Sequence, residues 1–177
     1  MISQRGYRVV PVSFNLSRKD LLHDDIIERI EAIMARYNVP RELINVEITE
    51  SAIISRSALR QRVADRLVDA GFGLEIDDFG KGNSSLNTLR NIKAHTLKMD
   101  MDFLKISEDS SMRGMIIIES MIHMAKLLDM TVVAEGVETG AQRDALLEMD
   151  CDLLQGYLFS KPVPVEEFEK HVTGNLV

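Results

Sequence analysis

The amino-acid sequence predicts an α/β fold, a closed (β/α)8 barrel of which about six βα units are present. Three observations predict it. Short β-branched runs alternate with longer stretches of helical spacing, the pattern of a parallel sheet buried under helices. Each run ends on a polar residue that is out of place on an apolar strand: Asn15, Glu47, Asp77, Lys98, Glu135 and Gln155. These residues stand about 28 positions apart on average, close to the roughly 30 residues of one βαβ unit. An open doubly wound sheet gathers its ligand at a switch point, whereas a barrel draws chemistry from the C-terminal ends of many strands. The repeated polar endings favour the barrel.

A barrel of about 250 residues, scaled to six units of eight, gives about 190 residues, near the 177 present. The expectation is therefore one domain over residues 1–177 that lacks its first two βα units, so that either the chain is a fragment or something else covers the exposed strand edges.

Taken in order, the strands are expected at Val9–Leu16, Ile44–Ile48, Gly73–Asp77, His95–Met99, Thr131–Glu135 and, more weakly, Leu153–Gly156. Leu22, Ile26, Ile30, Ile33 and Tyr37 mark the apolar stripe of a first helix; Leu59, Val63, Leu67 and Ala70 mark another. Ser17 with Asp20 and Thr139 with Gln142 both fit a capping box. Gly71 falls where a helix C-terminal glycine is expected.

Composition narrows the function classes. With 45% apolar residues and a mean hydropathy of −0.04, the chain can bury a continuous core. No apolar run approaches the roughly 20 residues of a bilayer span, and Met1–Gly6 has no signal-peptide character. The single Cys151 excludes an internal disulfide and reads as a small buried hydrophobe, in keeping with a reducing cytoplasm. The net charge of −7 argues against a DNA or RNA duplex as partner. An acidic chain can still take a phosphate-bearing ligand through divalent cations. His23, His95, His123 and His171 share no zinc-ligand spacing.

Glu47-Ile48-Thr49-Glu50 and Asp77-Asp78-Phe79-Gly80 set four carboxylates at the ends of consecutive strands. Any one of these acids alone reads as a helix cap or a solvated loop acid. As a set they repel unless a cation neutralises them, and a hard divalent metal is the natural occupant, with Asn15 adding a neutral oxygen. Lys98 alone would be a snorkelling lysine; beside carboxylates it is a candidate to orient water or neutralise charge on a phosphate. Glu135 and Glu138 flank Gly136, which permits a tight turn. One of them is a candidate general base, and the pair equally reads as a cap for the next helix. Asp78-Phe79-Gly80 matches the kinase tripeptide without the rest of the kinase pattern, and Gly80–Ser85 lacks the Walker spacing.

Six ordered motifs carry a resemblance over nearly the whole chain. They are Asn15-Leu16-Ser17, Glu47-Ile48-Thr49-Glu50-Ser51, Asp77-Asp78-Phe79-Gly80, Leu97-Lys98-Met99-Asp100, Ala134 to Thr139, and Gln155-Gly156-Tyr157 followed by Ser160-Lys161-Pro162. The sequence resembles the EAL domain, a family of bacterial cyclic di-GMP phosphodiesterases built on a TIM-type barrel. The resemblance implies two Mg²⁺ or Mn²⁺ ions holding a water that attacks one phosphodiester to give linear pGpG. It implies Asn15, Glu47, Asp77 and Asp78 as metal ligands, and Lys98, Glu135 and Gln155 as catalytic, with Glu135 the general base. By the same resemblance Glu50 pins the loop from Asp78 to Ser85, and Glu138 supports the site from behind. The Glu-Ala-Leu motif has no counterpart, and Lys81-Gly82-Asn83 departs from the family's usual loop. The isolated chain is accordingly expected to be inactive. A non-catalytic module that binds cyclic di-GMP or a protein is the alternative, and a homodimer and an attached GGDEF or sensory domain stay open.

Overall fold

Every β-branched run forms a strand in the computed structural model, which describes residues 9–54, 58–80, 86–100 and 112–173. The order is β1 (Val12–Asn15), α1 (Ile26–Tyr37), β2 (Ile44–Thr49), α2 (Glu50–Ile54), α3 (Ala58–Asp69), β3 (Gly73–Phe79), α4 (Leu86–Asn91), β4 (Thr96–Met99), α5 (Met112–Leu127), β5 (Thr131–Ala134), α6 (Gly140–Glu148), β6 (Leu153–Leu154) and α7 (Val165–Thr173). The six strands pair in sequence order, every neighbour parallel. Sequential order leaves no switch point, so the sheet is wound as a barrel is and not as an open doubly wound fold.

Alternation along each strand divides its residues between two faces of opposite chemistry. One face carries Val46, Ile48, Leu74, Ile76, Leu97, Met99, Val132 and Ala134, all buried in the core with helix residues such as Val63, Leu67, Ile118 and Ile122. Each such Leu, Ile or Val contributes about 1.5–3 kcal/mol through burial. The other face carries Ser13, Asn45, Glu47, Glu75, Asp77, Thr96 and Lys98. Packing thus decides which face turns inward, and polarity on the second face prepares a site.

Glycine and cap signals act where expected. Gly71 ends α3 at a φ of +85°, a left-handed conformation that costs other residues about 1–2 kcal/mol. Thr139 accepts from the Gln142 N–H at 3.2 Å and the Gln142 side chain accepts from the Thr139 N–H at 2.9 Å, closing the box that starts α6. Cys151 is buried.

Several boundaries differ from the sequence expectation. β1 starts after Pro11, which has no N–H for the ladder, and not at Val9. β3 runs two residues past Asp77, because a register shift carries Asp78 and Phe79 onward. His95 lies just before β4, its Nδ1 accepting from the Leu74 N–H at 3.1 Å. β6 is two residues long, since Gln155 and Gly156 turn back onto Val137. Ser17 and Asp20 do exchange hydrogen bonds, but they close a 3-10 turn at Asp20–Leu22 and not the first long helix. That helix begins at Ile26 and buries Ile27, Ile30 and Met34. Leu22, Ile33 and Tyr37 are exposed; a stripe drawn from Leu22 takes its phase from a residue outside the helix.

Candidate active site

Lys98 is the centre of the polar face. Leu97 and Met99 belong to the apolar side of β4, so alternation sends Lys98 to the opposite side. Its Nζ donates to Glu47 Oε1 on β2 at 2.9 Å. It also lies 2.9 Å from Oε1 of Glu135, just past β5, and 3.7 Å from Asp77 Oδ1 on β3. The four side chains are only 8, 12, 16 and 18% exposed for Lys98, Glu47, Asp77 and Glu135. Burial alone would lower the lysine pKa, but the hydrogen bonds to Glu47 and Glu135 and the charges of Glu135 and Asp77 hold it above the ordinary value. Lys98 is therefore a permanent cation. Burial pushes the Glu135 carboxyl above the usual range; Lys98 pulls it back, and Asp77 and Glu47 push it further up. A carboxyl moved toward neutrality is suited to general-base work.

Asp77 and Asp78 owe their placement to a bulge. Ile76 pairs with Leu97 and Phe79 with Met99, so two aspartates face the single Lys98. Asp78 adopts a φ of +55° and its N–H donates to Asp77 Oδ1 at 2.9 Å. Consecutive strand residues ordinarily point to opposite faces; a bulge changes the angle between them.

The remaining expected residues lie around this centre without a described contact to Lys98. Asn15 ends β1 in register with Glu47 and is exposed. Gln155 is exposed beyond β6, its N–H donating to Ala134 O at 2.8 Å. Gly156 next to it has no room for a side chain, because a Cβ would stand 2.2 Å from Val137 O. Glu138 is exposed and its N–H donates to Gln142 Oε1 at 2.8 Å, so its backbone takes part in the cap of α6. Glu50 begins α2 and is 3% exposed. Residues 81–85 of the loop it is expected to pin lie outside the described residues. Two buried acids, Glu75 and Asp100, were given no role by sequence reasoning. Glu75 was detectable: it is a charge two residues before Asp77 on the same face of the same apolar run.

The donor set suits a hard divalent cation, being side-chain oxygen throughout, with three carboxylates against one ammonium. Among the described residues no three His, Cys, Asp or Glu side chains converge on one metal position by themselves. Lys98 is the cation that stands between Glu47 and Glu135.

The EAL domain family model matches residues 1–162. The chain belongs to the EAL domain family. This EAL domain is 36% identical to the signaling protein YkoW of Bacillus subtilis over 95% of the chain and 21% of that relative. It is 33% identical to the cyclic di-GMP phosphodiesterase RocR of Pseudomonas aeruginosa over 94% of the chain and 42% of that relative. Among solved structures, the EAL domain of Mycobacterium smegmatis DcpA superposes with a TM-score of 0.88 at 31% identity, covering 97% of this chain and 77% of that one. The chain thus spans 21% and 42% of the length of these two curated relatives. Its parallel sheet is the six-stranded arc of an α/β barrel.

Proposed function

We propose that this EAL domain carries the catalytic rim of a metal-dependent phosphodiesterase that hydrolyses cyclic di-GMP to linear pGpG. The observation that carries the reading is the Lys98 ammonium held among Glu47, Asp77 and Glu135 from four successive strand ends, in a chain similar to a relative named for that activity. Asn15, Glu47, Asp77 and Asp78 would hold Mg²⁺ or Mn²⁺. Such an ion, once bound, would supply Lewis-acid neutralisation of the phosphate and a more acidic water. Glu135 takes the proton of the attacking water at its carboxylate. Lys98 orients that water and offsets negative charge developing on the phosphate. Gln155 offers its amide to the phosphate, Glu50 positions the loop after Asp78, and Glu138 steadies the turn that carries Glu135. The water oxygen bonds to phosphorus, one ester P–O bond breaks, and the leaving oxygen takes a proton from solvent while Glu135 releases the one it accepted.

Two coarser features belong to the same reading. Further βα units complete the barrel beside β1 and β6, a reading supported by these strands each pairing on one side only among the described residues. No helix among the described residues is long and apolar enough to cross a membrane, and a chain with the single cysteine Cys151 suits a cytoplasmic setting. The test is metal competition. The native protein is expected to form pGpG with Mg²⁺ or Mn²⁺ and to be inhibited by Ca²⁺, whose longer bonds and looser geometry suit in-line displacement poorly. Ca²⁺ supporting the same rate as Mg²⁺ would remove the metal assignment.

A further inference from the structure

The turn that presents Glu135 is held by main-chain bonds to the end of β6. The Glu135 N–H donates to Met99 O at 3.1 Å, which ties the start of the turn to β4. The Gln155 N–H donates to Ala134 O at 2.8 Å, the Val137 N–H to Gln155 O at 3.0 Å and the Leu158 N–H to Val137 O at 3.0 Å. Residues 134–137 and 155–158 are thereby laced together, with Val137 fully buried between them. Every one of these bonds is main-chain. They fix the backbone of Glu135 and leave its carboxylate to Lys98 Nζ, 2.9 Å away.

Gly156 stands where the two segments meet. A Cβ there would lie 2.2 Å from Val137 O, 2.3 Å from Val137 N and 2.8 Å from Val137 C. Non-bonded heavy atoms settle at about 3.5–4.0 Å, so a side chain at this position would part the segments by about 1 Å. A catalytic constellation tolerates errors of only about 0.5 Å. The displacement exceeds that tolerance, so the missing Cβ bears on the site as well as on packing. We propose that Gly156 is a positioning residue: without a Cβ it lets the end of β6 close on Val137, and so sets the distance between the Glu135 carboxylate and Lys98. The consequence for turnover rests on the phosphodiesterase reading with Glu135 as base; the consequence for the Glu135–Lys98 contact does not.

Two readouts on the native protein test this. One is the ammonium NMR signal of Lys98, which senses its hydrogen bonds and is assigned by its loss in Lys98→Met; the other is steady-state kinetics. In Gly156→Ala the Lys98 signal is expected to move in the direction it takes in Glu135→Gln. Its kcat should fall at least about tenfold with KM changed less than about threefold, the mark of lost transition-state geometry. In a Glu135→Gln background the same substitution should change kcat less than about threefold, because the group it displaces is no longer a base. Gly71→Ala is the control for lost stability alone. Its φ of +85° strains an alanine, but it lies before β3, at the opposite end of the strands from the rim, and should leave the Lys98 signal and kcat within about twofold of wild type. An unmoved Lys98 signal in folded Gly156→Ala overturns the positioning role, and so does a kinetic defect that Gly71→Ala matches. Should Gly156→Ala fail to fold, hydrogen exchange of the wild type decides. Joint protection of the Val137, Gln155 and Leu158 amides, at least about a hundredfold over peptide rates, supports the lacing, and peptide-like exchange at Val137 or Leu158 overturns it. If the wild type makes no pGpG, the phosphodiesterase reading falls while the Lys98 signal still decides the role of Gly156.

Discussion

Glu47, Asp77 and Glu135 repel one another, and Lys98 is the group that lets them share a buried rim. Replacing it with methionine keeps the stem and removes the charge, so turnover is expected to fall roughly 10²- to 10³-fold. The pH profile should move as well. Lys98 lowers the Glu135 pKa through its hydrogen bond and charge, so its removal raises that pKa. Because the base works deprotonated, the acid limb of kcat in Lys98→Met shifts to higher pH. An unshifted limb would show that Glu135 is not the titrating group. Glu50 gives a second residue-scale prediction. Its carboxyl is buried at the start of α2, and Glu50→Ala is expected to lower turnover by loosening metal binding, with excess Mn²⁺ partly restoring it. Rates titrated with metal decide this: a defect of equal size at every Mn²⁺ concentration rejects the positioning role.

Among the elements, the turn after β6 carries the clearest stability prediction. A Cβ at Gly156 would stand 2.2 Å from Val137 O and 2.3 Å from Val137 N, and backbone atoms cannot step aside as a side-chain tip can. Gly156→Ala should therefore cost about 1–3 kcal/mol in denaturant unfolding, and an unchanged midpoint would contradict the close packing of that turn. The same turn shows what was legible in the sequence. Strand ends were marked by single polar residues on apolar runs, so Glu47, Asp77, Lys98 and Glu135 could be named before any contact was known. Asp78 and Phe79 were not expected in β3, because a bulge changes the period that reveals a strand. Glu75 escaped notice because attention to strand ends ignores the layer below them. The first helix was misphased by Leu22, which belongs to a separate 3-10 turn.

At the scale of the whole molecule, β1 and β6 each pair on one side only among the described residues, and Val12 and Leu153 on these strands are exposed. Unpaired parallel edges invite association. The 177-residue chain by itself is expected to sediment as a concentration-dependent mixture, and a monomer with one sharp thermal transition would imply that the sheet closes in another way. The most direct measurement of the central claim follows product from cyclic di-GMP in the native protein with Mn²⁺, beside Lys98→Met and Glu135→Gln. The account predicts pGpG from the wild type and at least about a hundredfold less from either variant. Wild-type protein that binds cyclic di-GMP and releases no pGpG with Mg²⁺ or Mn²⁺ would contradict it and make the domain a binding module.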